Sequence, residues 1–128
     1  MSSRKTVLLV EDNKDNLIIY STILQFGGYH VVEAHDGRAA LTAARTSRPD
    51  LILMDVSIPF VDGLEVTRRL KADPGTRCIP VIALTAHALP ADRARAYEAG
   101  CDGYISKPAE PRYILATVRR ELGEAEAA

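Results

Sequence analysis

Thr6-Val7-Leu8-Leu9-Val10 is apolar almost from end to end, and that uniformity limits the possible folds more than any other feature of the chain. A strand with one wet face alternates apolar and polar residues. A run without alternation is buried on both faces, as in a parallel sheet covered by helices. Comparable runs follow at 30–34, 51–54, 81–84 and 103–106, and a helical segment lies after each.

The first helix, 13–26, puts Leu17, Tyr20 and Leu24 on one stripe and stops at Gly27-Gly28. Asp36 is placed to cap a second helix carrying Ala39, Ala40, Ala43 and Ala44. A third, 63–72, ends at the breaker Asp73-Pro74-Gly75. Pro90 and Pro111 sit at first helical positions of segments ending at Gly100 and near Leu122. Strict alternation predicts an α/β fold: a doubly wound parallel sheet with helices on both faces and right-handed crossovers.

A chain of 128 residues fits one domain with one core, so a single domain over 1–128 is expected, its core at about 5–122 and a tail at 123–128. Sixteen Lys and Arg balance seventeen Asp and Glu. That removes the strong positive field which general nucleic-acid or anionic-membrane binding needs, so neither DNA binding nor membrane insertion is expected. No apolar run nears the roughly 20 residues that cross a bilayer, and the polar start leads directly into the first strand. The expected location is the cytoplasm, with Cys78 and Cys101 as free thiols packed like small core residues.

In such a sheet ligands bind at the carboxyl ends of the strands, and the residues there are unusually polar. Glu11 and Asp12 follow the first strand, Asp55 the third, Thr85 the fourth and Lys107 the fifth. Singly, each has an ordinary explanation, Asp12 as a helix cap or Lys107 as a surface charge. Together they deliver three carboxylates, a hydroxyl and an ammonium to one rim. Three carboxylates so close repel one another unless a cation joins them. Magnesium, a hard ion that takes oxygen ligands and binds phosphate oxygens, suits them. A carboxylate beside Lys107 and Thr85 can then attack phosphorus and form an aspartyl phosphate.

The segments Val10-Glu11-Asp12-Asn13, Met54-Asp55-Val56-Ser57-Ile58-Pro59, Asp62-Gly63, Ala83-Leu84-Thr85-Ala86 and Tyr104-Ile105-Ser106-Lys107-Pro108 resemble the CheY-like receiver domains of bacterial two-component response regulators. The resemblance spans residues 5–122 with every motif in order. Gly63-Leu64-Glu65-Val66-Thr67 and Gly100-Cys101-Asp102-Gly103-Tyr104 look most like stand-alone regulators of the DivK type. The fold so implied is flavodoxin-like (βα)5, with strand order 2-1-3-4-5. The roles implied are Asp55 as phosphoacceptor and magnesium, replaceable by manganese, held by Asp12, Asp55 and the Ser57 backbone carbonyl, with Glu11 reaching it largely through water. Lys107 contacts the phosphoryl oxygens, and its bond to Pro108 is expected to be cis. Thr85 and Tyr104 form the switch. The chain is expected to be no enzyme beyond its own phosphorylation and slow dephosphorylation.

The resemblance also implies partners. A histidine kinase or phosphotransfer protein docks near Asn13, Asn16 and Leu17. A downstream protein meets the face of the fourth helix, fifth strand and fifth helix around Arg93, Arg95, Tyr97, Tyr104 and Tyr113, and that face leaves a homodimer open. Ser57 and His87 flank the path of attacking water, where His87 is a candidate for tuning phosphate lifetime. His30 and His35 lack the flanks of a phosphodonor and read as structural. Two rivals fit less well. An aspartyl-phosphate phosphatase usually has a second aspartate two residues after the nucleophile, where Ser57 stands. A flavodoxin-type cofactor binder needs a phosphate-cradling loop where Glu11-Asp12 would repel one.

Overall fold

Two apolar clusters, one on each side of a single sheet, account for the architecture. The computed structural model describes residues 4–58, 61–86 and 89–124. Strands β1 (Thr6–Val10), β2 (His30–Ala34), β3 (Leu51–Asp55), β4 (Val81–Thr85) and β5 (Gly103–Ser106) alternate with helices α1 (Lys14–Phe26), α2 (Gly37–Ser47), α3 (Gly63–Ala72), α4 (Pro90–Ala99) and α5 (Pro111–Glu121). All strand pairs are parallel, in the order β2-β1-β3-β4-β5. This is the flavodoxin-like order that the resemblance implies.

Because side chains alternate across a strand, each apolar run feeds both faces. Val7 and Leu9, with Leu51, Leu53, Ile82 and Leu84, pack under Leu17, Tyr20 and Leu24 of α1 and Ile114 and Val118 of α5. Leu8 and Val10, with Ile52, Met54 and Ala83, pack under α2, α3 and α4 through Ala40, Ala44, Val66, Leu70 and Ala96. Two helices therefore cover one face and three the other.

The helix starts follow the sequence closely. Asn13 caps α1 by accepting the Asn16 N–H at 3.0 Å, so Asp12 is free of the cap role considered for it. Asp36 accepts from Ala39 at 2.8 Å, and Asp62 accepts from Leu64 and Glu65 at the start of α3.

Three expectations need correction. β2 is not buried on both faces: His30 and Glu33 are exposed, Val31 and Val32 are only partly buried, one against each cluster, and Ala34 alone is fully buried. It is an edge strand, with β1 as its sole neighbour. Cys78 is exposed and only Cys101 is buried, because Cys78 falls in the turn before β4. Leu17 is buried in the core and is no exposed docking residue. The helix instead exposes Ile18 and Ile19. His30 and His35 are both exposed. His87, Pro59 and 125–128 lie outside the described residues. Within the expected tail, Glu124 accepts a hydrogen bond from the Tyr29 hydroxyl at 2.7 Å.

No helix among the described residues is long and apolar enough to cross a membrane.

Candidate phosphoacceptor site

The parallel register puts the ends of β1, β3, β4 and β5 along one rim. Val10 pairs with Met54, Asp55 with Leu84, and Thr85 with Ser106. Asp55 and Thr85 are thus the last residues of their strands, one position deeper than the apolar runs alone indicate. The backbone keeps the ladder going past them: the Val56 N–H donates to the Leu84 carbonyl at 3.2 Å, and the Lys107 N–H to the Thr85 carbonyl at 2.8 Å. The Lys107–Pro108 bond is cis.

Four of the five rim side chains named from the sequence, Glu11, Asp12, Asp55 and Lys107, converge. Glu11, Asp12 and Asp55 each offer a carboxylate oxygen, and these oxygens lie within 4.8 Å of one another. Lys107 reaches between two of them, its Nζ 2.9 Å from Glu11 Oε1 and 3.3 Å from Asp55 Oδ2. Glu11 is 1% exposed and Asp55 4%, whereas Asp12 is open to solvent. Asp55 is aimed by its own loop: the Ser57 N–H donates to Oδ1 at 3.0 Å. Thr85 is buried beside it on the neighbouring strand.

Burial pushes the Glu11 carboxyl above the ordinary carboxylate range, and the Asp55 carboxylate beside it pushes the same way, against Lys107. For Lys107 burial acts downward but is outweighed by the bond to Glu11 and the charge of Asp55, so its pKa rises. Lys107 therefore remains an ammonium at neutral pH and serves as an internal counter-cation.

The donor set fits magnesium. Its oxygen ligands stand about 2.1 Å from the ion, hence about 4.2 Å apart across the octahedron, and the three carboxylate oxygens span a comparable distance. One open carboxylate, Asp12, leaves an entry from solvent. Glu11 is already committed to Lys107, which suits a ligand acting through water.

Three contacts were not legible in the sequence. The Lys107 ammonium lies 5.8 Å from the centroid of the Tyr20 ring, and Arg93 lies over the rings of Tyr97 and Tyr104. Tyr20 read only as part of a buried stripe, and nothing in that periodicity says which cation the ring meets. Tyr104 is 7% exposed, its ring turned into the cluster beneath α2, α3 and α4. Arg93, Arg95, Tyr97 and Tyr113 are exposed.

Comparisons with known proteins agree with this geometry. Residues 7–119 match the response regulator receiver domain family. The chain is 45% identical over 121 residues to the polar-differentiation response regulator DivK of Brucella anthropi, covering 94% of this chain and 98% of that one. The receiver domain of the sensor histidine kinase PA1611 of Pseudomonas aeruginosa PAO1, solved with magnesium coordinated in its active-site cleft, superposes with a TM-score of 0.89 at 37% identity, covering 95% of this chain and all of that one. The chemotaxis protein CheY4 of Vibrio cholerae superposes with a TM-score of 0.87 at 31% identity, over 92% of this chain and 98% of that one.

Proposed function

The chain belongs to the response regulator receiver family, and we propose that within it the chain captures a phosphoryl group on Asp55. A carboxylate oxygen of Asp55 attacks the phosphorus of a phosphohistidine or a small acyl phosphate. The bond from phosphorus to the donor's nitrogen or oxygen breaks as the new one forms, and the product is an aspartyl phosphate. Lys107, 3.3 Å from Asp55 Oδ2, follows the charge onto the phosphoryl oxygens and neutralises it. The Thr85 hydroxyl, on the next strand, donates to another of those oxygens. Glu11 holds the ammonium from behind at 2.9 Å.

Asp12, Asp55 and the Ser57 carbonyl would hold magnesium, or manganese in its place, with Glu11 acting largely through water, and the ion would supply Lewis acidity to offset charge on the phosphoryl oxygens. Support for that assignment comes from the span of the three carboxylates and from the magnesium in the similar Pseudomonas receiver.

The phosphorylated aspartate adds about two negative charges to the rim. Thr85 moves toward them, and Tyr104 fills the space behind it, reshaping the face of α4, β5 and α5 for a protein partner. The donor is a histidine kinase or phosphotransfer protein that docks along α1. We place the protein in the cytoplasm as a single receiver unit over 1–128, a self-modifying switch that turns over no other substrate.

The observation that carries this reading is the convergence of Glu11, Asp12, Asp55 and Lys107 on one rim from three separate strand ends. Acetyl phosphate with magnesium should raise the intact mass by one phosphoryl group. Omitting magnesium or substituting Asp55→Ala should abolish the gain. A gain of equal size in Asp55→Ala would overturn the assignment.

A further inference from the structure

Tyr104 stands between two hollows. On one side is a recess of about 360 Å³ bounded by Val56, Leu64, Thr85, Asp92 and Ala96. On the other is a groove of about 390 Å³ between α4 and α5, bounded by Ser106, Pro108, Glu110 and Tyr113. Open space on two sides forfeits part of the dispersion contact that fixes an ordinary core side chain.

The guanidinium of Arg93 supplies another hold. Its central carbon lies 5.7 Å from the centroid of the Tyr104 ring and 5.9 Å from that of Tyr97, both within the range of cation–π attraction. Tyr97 follows Arg93 by four residues on α4, so the two share a helix face. Of the two acidic groups that could draw Arg93 away, Asp92 is bound instead to Arg95, and Glu110, which borders the same groove as Arg93, forms no ion pair with it among the described residues. Among the described residues Arg93 takes part in no ion pair, and its charge is directed at the two rings.

We infer that Arg93 is a positioning residue, which braces on Tyr97 and latches the Tyr104 ring in its buried orientation, so that α4 biases the switch before any phosphoryl group arrives. A cation over one ring at a partly exposed site changes the population of a conformer by a factor of roughly two to five. The latch thus tilts a two-state ring toward the inward orientation that phosphorylation also favours, and leaves the larger share of the shift to phosphorylation. It rests on reading Tyr104 as the moving part of the switch.

The test is fluorine NMR of the full chain with its tyrosines replaced by meta-fluorotyrosine and the Tyr104 signal assigned through Tyr104→Phe. Arg93→Gln removes the charge and keeps much of the length, while Arg93→Lys keeps the charge. In Arg93→Gln the Tyr104 signal should move toward its solvent-exposed position, with accessibility to a soluble paramagnetic quencher raised about two- to fivefold. In Arg93→Lys it should stay near wild type. An unmoved signal in Arg93→Gln overturns the latch. So does a signal displaced equally in Arg93→Lys, because shape and not charge would then hold the ring. Wild type treated with acetyl phosphate and magnesium separates the two readings. A Tyr104 signal that ignores phosphorylation but answers to Arg93→Gln leaves the latch standing and removes the switch role of Tyr104.

Discussion

Lys107 does two jobs with one charge. It joins Glu11 and Asp55, at 2.9 and 3.3 Å, and so keeps two buried carboxylates together. During phosphoryl capture it must transfer its attention to the incoming oxygens. Substituting Lys107→Met separates these roles. Phosphorylation by acetyl phosphate should slow by about a hundredfold, the usual cost of losing one charge-stabilising donor. Magnesium should bind about tenfold more tightly, because metal entry no longer breaks a charge-assisted bond. Calorimetric titration reads the second effect independently of the first, and weaker magnesium binding in the variant would contradict the counter-cation role. At this scale the sequence was most informative where chemistry is concentrated. Glu11, Asp12, Asp55, Thr85 and Lys107 announced themselves by being polar at the ends of apolar runs. Cys78 misled, since a residue in a turn faces in or out according to a rotation that the sequence does not state. Leu17 belongs on the buried stripe, where its spacing puts it, and not among the docking residues as well.

The elements follow the same division. Strand and helix order, the caps at Asp36 and Asn13, and the proline starts of α4 and α5 were readable because they depend on local chemistry. The exposure of β2 is missed when its apolar run is read by itself and not against the strand order 2-1-3-4-5, which already puts it at an edge. Two predictions concern how elements meet. A Cβ on Gly63 would lie 2.6 Å from the Asp55 carbonyl oxygen and 2.8 Å from the Val56 Cα. This contact is against backbone that cannot swing aside. Gly63→Ala should therefore cost about 1–3 kcal/mol in urea unfolding and also slow phosphorylation, by pushing the acceptor loop. Unchanged stability would mean that α3 can slide. The second concerns Tyr29, after α1, which donates to Glu124 beyond α5 at 2.7 Å. Burial, and then that bond, raise the Tyr29 hydroxyl well above the usual value of 10.0. Below that value both folded and unfolded chains keep the proton, and the stabilisation is complete. As pH rises past it the unfolded chain loses the proton first, so stability falls until the folded hydroxyl also ionises. Tyr29→Phe should lose about 1 kcal/mol at neutral pH and show a shallower alkaline decline. Part of the decline should remain, because burial also raises Tyr20 and Tyr104. An equally steep decline would contradict the contact.

Across the whole molecule, the sheet order explains why chemistry can occur at all. Placing β1 beside β3 brings Glu11 and Asp12 against Asp55, and placing β4 and β5 beyond adds Thr85 and Lys107 from the other side. Two helices on one face and three on the other leave that rim uncovered, while the α4, β5 and α5 side carries the hollows around Tyr104. The central claim is that Asp55 becomes an acyl phosphate. Borohydride reduces an acyl phosphate to the alcohol and leaves free carboxylates intact, so protein treated with acetyl phosphate and magnesium, reduced and digested, should yield homoserine at position 55 and nowhere else. Homoserine at position 12, hydroxynorvaline at position 11, or an unchanged Asp55 in protein that has gained the phosphoryl mass, would contradict it.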